Sequence, residues 1–265
     1  MLSVQSSSGV DSSTSSLAAV RWAAATAARR RAPLHLVHAI GVSAGAVPVP
    51  GSLLFDTSGL RKAGDAALGV GQSIAQEVAG SAGEIPVRTF LESSSPVSCS
   101  ARLSANARPP VVGARGLGAF ERVLLGSVGI GLIRHASCPV AVVPGFDEPV
   151  AAVPQYPVLV GVDGSLCSER AVEIAFDEAS VRRLGLALLV EKLAIFSDKY
   201  PEVRVHRLVA GGHPAQRLLE ESHRAQLIVL ASRGRGEVAG AALGSVSHAV
   251  LQKSRTPVVL ATRGQ

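Results

Sequence analysis

Two short constellations in this chain assemble residue types that handle phosphate, and each occurs twice. The first is an aspartate in a tight turn: Gly9-Val10-Asp11-Ser12-Ser13, and again Gly161-Val162-Asp163-Gly164-Ser165. The second is glycine-rich. Gly113-Ala114-Arg115-Gly116 is followed after nine residues by Gly126-Ser127-Val128, and Ala231-Ser232-Arg233-Gly234 after nine residues by Gly244-Ser245-Val246. A phosphate needs donors held close with little side-chain bulk. Glycines at a strand-to-helix turn let backbone N–H groups approach, and the following helix N-terminus adds partial positive charge. Gly126-Ser127 fits that role, the serine offering a hydroxyl that can also cap the helix. An aspartate at the carboxyl end of a first parallel strand lies where open α/β sheets take their ligands, and could accept from ribose hydroxyls or a base. Taken singly, a glycine loop can be mere tight packing and an Asp-x-Ser turn a mere helix cap; both in order, twice, point to a nucleotide.

The elements that must hold these motifs follow from the spacing. In the first copy we expect a helix over Ser13–Arg31, a short apolar strand at Leu34–Ala39, a helix over Gly59–Ala79 and a strand at Val87–Leu91. A helix over Pro96–Ala107, a strand ending at Val111-Val112, a helix over Ser127–His135 and a strand at Pro139–Val143 complete it. Strands alternating with helices imply right-handed crossovers and a parallel sheet covered on both faces. The fold class is therefore α/β: two tandem domains with parallel, doubly wound sheets. Pro144–Pro157, with four prolines, reads as the linker, giving domains 1–147 and 154–265. The first strand is unusual. A central parallel strand should be a continuous apolar run, as Val158-Leu159-Val160 is, whereas Leu2–Ser8 is serine-rich. Either it is short and edge-like, or the natural start differs.

Offsets between the copies show an unequal pair. Asp11 and Asp163 are 152 residues apart, and Ala19-Val20-Arg21-Trp22-Ala23 matches Ala171-Val172-Glu173-Ile174-Ala175 at that offset, but Gly116 and Gly234 are 118 apart. The second copy has lost 34 residues between about 184 and 203, in its second-strand and second-helix region. The helical spacing of Leu188, Leu189, Lys192, Leu193 and Phe196 favours a helix over Leu186–Ser197 with the strand absent; an ungapped alignment instead lays Leu186–Val190 over the first copy's second strand. Either way the wall equivalent to Ala39 lacks a good counterpart.

Composition narrows the class. Of 265 residues, 47% are hydrophobic and only 3% aromatic, so the cores are Ala, Val and Leu, which suits helices packed closely on a sheet. The net charge is +6, but no interleaving of aromatic and basic residues or zinc spacing supports a nucleic-acid module. Arg29-Arg30-Arg31 reads as a helix C-terminus favoured by the dipole. Cys99, Cys138 and Cys167 are widely spaced and read as small buried residues in a reducing compartment. His35, His38, His135 and His248 lie on separate elements and read as packing or surface groups. No leader pattern opens the chain and no apolar run would span a bilayer, so a cytoplasmic protein without membrane partners is expected.

In order and spacing, these motifs resemble the universal stress proteins, whose pattern sets Gly-Val-Asp-x-Ser near the start and G-x-x-G-x9-G-[ST] near the end. Ala18–Ala24 and Pro33–Ala39 extend the resemblance, which covers nearly the whole chain in a tandem-domain form. It implies five-stranded parallel sheets, a stress-response or regulatory role, dimerisation, and ATP, with or without Mg, or another adenine nucleotide as ligand. Carried over by position, the first site would use Gly9, Val10, Asp11, Ala39 beside the adenine, Val112, Gly113, Gly116, Gly126, Ser127 and Val128. The matching positions of the second are Asp163, Gly234, Gly244 and Ser245. The resemblance also suggests pairing between the final strands, Pro139–Val143 and Pro257–Ala261, within the chain or between chains. The second copy departs from the pattern at Ala231, whose methyl disfavours a positive φ, and in its 34-residue loss; the better-preserved site is expected in residues 1–147. No Walker lysine is present, so binding with at most slow hydrolysis is expected. Two alternatives stand beside this. One is a degenerate interaction module that binds no nucleotide. The other is an adenylating enzyme, because Ser7–Ser12 resembles the S-G-G-x-D-S loop of ATP pyrophosphatases with one glycine replaced.

Overall fold

The computed structural model describes residues 5–41, 58–95, 97, 99, 107–115, 125–136, 138–145, 156–190, 200–209, 212–234 and 243–262. The first half runs β1 (Gln5–Gly9), α1 (Thr14–Arg30), β2 (Leu34–Ala39), α2 (Ser58–Ala82), β3 (Val87–Glu92), β4 (Ala107–Gly113), α3 (Ser127–His135) and β5 (Val140–Val143). The second runs β6 (Val158–Val162), α4 (Leu166–Arg182), β7 (Leu186–Val190), β8 (Val205–Val209), α5 (Pro214–Ser222), β9 (Leu227–Ala231), α6 (Ser245–Lys253) and β10 (Val258–Ala261). Residues 146–155 of the expected linker lie outside the described residues.

Local chemistry explains the first helix of each half. Ser13 and Ser165 are N-caps whose side chains accept from the Ser16 and Ser168 amides, and Arg31 and Arg183 close the helices in the left-handed region at φ 49° and 55°. Ala19, Ala23 and Ala27 recur every four residues along α1 and are fully buried, as are Ala171, Ala175 and Ala179 along α4. With only methyl groups on that stripe, both helices settle close to the sheet.

All ten strands form one sheet, ordered β3-β2-β1-β4-β5-β10-β9-β6-β7-β8. Pairing is parallel within each half, and the halves meet at an antiparallel β5–β10 pair centred on Ala141 opposite Val259. Those two residues occupy equivalent positions at the 118 offset, so a pseudo-twofold axis passes through the seam. The final strands thus pair within the chain. Two apolar layers, one under α1, α2 and α4 and one under α3, α5 and α6, each continue through both halves.

Four sequence expectations change. The serine-rich first strand is not an edge: β1 lies between β2 and β4, with Ser6, Ser7 and Ser8 buried. Serine is little larger than alanine, and pairing on both sides satisfies the backbone. The helix expected over Leu186–Ser197 is overturned at its start, since Leu186–Val190 is β7, paired with β6 and β8. An apolar run buried on both faces is what an interior parallel strand requires, and its side-chain spacing alone resembles a helix. The 14 residues 191–204 suffice for a parallel crossover, which needs about a dozen; Lys192, Leu193 and Phe196 lie outside the described residues. Residues 96, 98 and 100–106 lie outside the described residues, and the helix expected over Pro96–Ala107 does not include Ala107, which begins β4. Pro109 and Pro110 are accommodated there by a register shift against β1 between Gln5 and Ser7. Finally, Arg30 does more than favour a helix dipole: it reaches across to α4, as described below.

Among the described residues no helix is long and apolar enough to cross a membrane. Nor, among them, do three or more His, Cys, Asp or Glu side chains gather as a metal site. His35 packs in the sheet against Phe90, ring centroids 4.9 Å apart.

Candidate nucleotide site

In each half the strand order reverses direction beside the first strand, between β1 and β4 and between β6 and β9. A crevice opens there at the carboxyl ends of the strands. The two crevices are built alike. After β1, Asp11 Oδ1 accepts from the Ser13 amide at 3.0 Å and the Ser13 hydroxyl at 2.6 Å. After β6, Asp163 Oδ1 accepts from the Ser165 amide at 3.0 Å and its hydroxyl at 2.7 Å. One carboxylate oxygen is therefore spent on the turn that starts the helix. The residue inside each turn has positive φ, Ser12 at 64° and Gly164 at 75°.

The glycine loops are also anchored alike. The Ala114 amide donates to Val143 O and the Gly126 amide to Ala114 O, both at 2.8 Å. Ser232 to Ala261 O and Gly244 to Ser232 O repeat the pattern at the same distances. The helices that follow, α3 and α6, start at Gly126 and Gly244 with no side-chain cap. Their first N–H groups have no intrahelical partner, and Ser127 and Ser245 line the crevices.

The first crevice, about 180 Å³, is lined by Gly9, Val10, Asp11, Ala39, Val112, Gly113, Gly126, Ser127 and Val128. Gly116 lies outside the described residues. The second, about 280 Å³, is lined by Asp163, Gly234, Gly244 and Ser245, with Leu189, Leu218 and Leu230 as apolar walls. The counterpart of Ala39 at the 152 offset, residue 191, lies outside the described residues, but the second crevice is not without a wall from this strand. Because β7 exists, Leu189 stands at the position of Val37, which lines the first crevice.

The two loops differ at their first residue, and the reason is space. Neither Gly113 nor Ala231 has positive φ. A Cβ at Gly113 would lie 2.6 Å from the Ser15 carbonyl carbon and 2.7 Å from the Ser16 nitrogen, so glycine is required by the N-terminus of α1. There the Ser15 and Ser13 hydroxyls hold the Arg115 carbonyl, pinning the loop onto α1. Cys167 replaces Ser15 in the second half, where Ser247 instead donates to Ala231 O at 2.6 Å. Gly234 carries a constraint of its own: an added Cβ would collide with Asp163 Oδ2.

Arg115 and Arg233 were not singled out from the sequence, yet each lines its crevice. The signal was available, since the same cation fills the same variable slot of both glycine motifs. Gly212 and Pro214, at the start of α5, also line the second crevice; they are distant in sequence from either motif.

Comparison with known proteins agrees with this architecture. The model of the universal stress protein family matches residues 8–144 and 182–262. A universal stress protein of Mycobacterium tuberculosis is 38% identical over 284 residues, spanning 96% of this chain and 94% of its own length. Another from Mycolicibacterium smegmatis is 40% identical over 283 residues, covering 95% of each. Among solved structures, a universal stress protein from Archaeoglobus fulgidus shares the fold at a TM-score of 0.70 over the whole of both chains, with 22% identity. A duplicated α/β fold with this motif order, matched over most of its length, establishes that the chain belongs to the universal stress protein family.

Proposed function

We propose that the chain binds an adenine nucleotide, ATP by the motif pattern, in both crevices, and that it acts by binding and not by turnover. One observation carries this reading. At Gly126 and Gly244 φ is −63° and −72°, which any residue adopts. A Cβ at Gly244 would meet nothing nearer than 3.5 Å. At Gly244 neither backbone geometry nor packing against the described residues demands glycine, which supports room for a ligand against the uncapped helix. The phosphates would lie on the N-termini of α3 and α6, with Arg115 or Arg233 alongside. The Asp11 or Asp163 carboxylate, at the end of its strand, would meet the sugar or base. Each carboxylate is tied to its own turn, which suits recognition better than proton transfer. If Mg accompanies ATP, it would be held chiefly by the phosphates.

Isothermal titration with ATP tests the reading, and the expected result is two binding events. Gly244→Ala should weaken one of them about tenfold or more while leaving the thermal midpoint unchanged. No heat on titration, together with no nucleotide found by mass spectrometry of the purified protein, would leave an interaction module as the correct account. Pyrophosphate release would instead favour an adenylating enzyme. Domains spanning 1–147 and 154–265 and a cytoplasmic location belong to the same proposal. So does a regulatory role with no nucleic-acid or membrane partner. A homodimer of the chain would use a surface other than the β5–β10 seam.

A further inference from the structure

The seam between the halves poses a recognition problem. Around the axis at Ala141 and Val259, Val140 pairs with Leu260 and Val142 with Val258. All are small and apolar, so the strands alone would let either half pair with a copy of itself. Thr262 Oγ1 also crosses the seam, donating to Cys138 O at 2.7 Å, but to a main-chain carbonyl that either half offers; the contact across the axis that carries charge is between α1 and α4.

That contact is charged and largely shielded from solvent, with Asp177 at its exposed rim. Arg30 Nη2 lies 2.5 Å from Asp177 Oδ2 and 2.6 Å from Glu178 Oε1; Arg182 Nε lies 3.0 Å from Glu178 Oε2. The Arg30, Arg182 and Glu178 side chains are nearly inaccessible. At the 152 offset, Arg30 corresponds to Arg182 and Thr26 to Glu178. The symmetry-related contact is present too, with Arg182 Nη2 donating to Thr26 Oγ1 at 3.3 Å. Each side of the axis thus holds an arginine, but only α4 brings a carboxylate.

We propose that Glu178 makes the first half pair with the second half and not with a copy of itself. A seam between two first halves would bring Arg29 and Arg30 from each side against Thr26, with Ala25 where Asp177 stands. Helix α1 contains no acidic residue to neutralise them. The two Arg30 guanidinium groups would face one another out of water with no carboxylate between them, and the exposed Arg29 of each side would add like charge at the rim, which is costly. A seam between two second halves would set Arg182 against Glu178 twice and is balanced. Because the chain carries equal numbers of each half, a veto on first-with-first pairing is enough to direct every first half to a second half. The stacking of Arg182 over Trp22 at 5.2 Å has Arg30 as its symmetry equivalent, so it adds no preference.

Two full-length variants, Arg30→Glu and Glu178→Arg, test this when refolded together and weighed by native mass spectrometry. Within either variant chain the seam sets like charges together. In a reciprocal dimer of the two, one seam carries the reversed pair and the other is native. The expected result is a 1:1 dimer as the dominant folded species in the mixture and its absence from each variant alone. The double variant Arg30→Glu/Glu178→Arg should recover the native mass distribution and most of the native thermal midpoint. Single variants with native midpoints, a mixture without the 1:1 dimer, or a double variant no more stable than the singles would each overturn the proposal.

Discussion

The two crevices share a frame and differ in their walls. In the first, Gly113 lets the loop close onto α1, and serine hydroxyls pin the Arg115 carbonyl there. In the second, Ala231 replaces that glycine, Ser247 holds its carbonyl, and the crevice is larger, about 280 against 180 Å³. A missing glycine had marked the second crevice as the poorer one. The structure teaches that glycines in one motif answer to different demands. Gly113 makes room for protein and Gly234 for the aspartate, whereas at Gly244 no described neighbour comes nearer than 3.5 Å to an added Cβ, which leaves the space that the proposed nucleotide would use.

The largest expected effect falls on the frame that both crevices share. Glu178→Gln should destabilise the chain by about 3 kcal/mol, read from denaturant unfolding, because it leaves buried arginines unneutralised. Acid should act similarly. Burial works to raise the Glu178 carboxyl, but Arg182 and Arg30 outweigh it and hold it below the ordinary glutamate value of 4.5. Its contribution is therefore complete above that value and fades as pH falls through the lower folded value. A stability profile flat from pH 6 down to 3 would contradict the assignment.

Gly113→Ala should destabilise the first half by about 2 kcal/mol, since the methyl meets helix backbone. Ala231→Gly should cost well under half of that, and equal effects at the two positions would erase the distinction between the loops. Gly234→Ala comes next. It displaces the Asp163 carboxylate, so the second binding event should weaken about tenfold while the first is unchanged, as titration with ATP would show. The smallest change is Ser12→Gly, expected to stabilise by about 0.5 kcal/mol because serine is held at φ 64° where the second half has glycine. A lower thermal midpoint for that variant would count against it.

Much of the site was legible because its parts are local. The Asp11-x-Ser13 turn, the cap on α1, and the α3 start at Ser127 depend on neighbours within a few residues, and the repeat read each of them twice. β7 was misjudged because local signals compete there. Leu186–Val190 carries apolar residues at spacings that serve a helix or a buried strand equally, and only the strands on either side decide between them.

The sequence by itself determined the doubled α/β plan, the loop chemistry and the 34-residue loss, since spacing and side-chain type are properties of the chain alone. Tertiary structure decided what depends on who the neighbours are. It placed serine-rich β1 in the middle of the sheet, turned Leu186–Val190 into a strand and joined β5 to β10 within one chain. It also set Glu178 between two arginines drawn from opposite halves. Such choices rest on burial and pairing between segments far apart in sequence, whose energies no local pattern encodes.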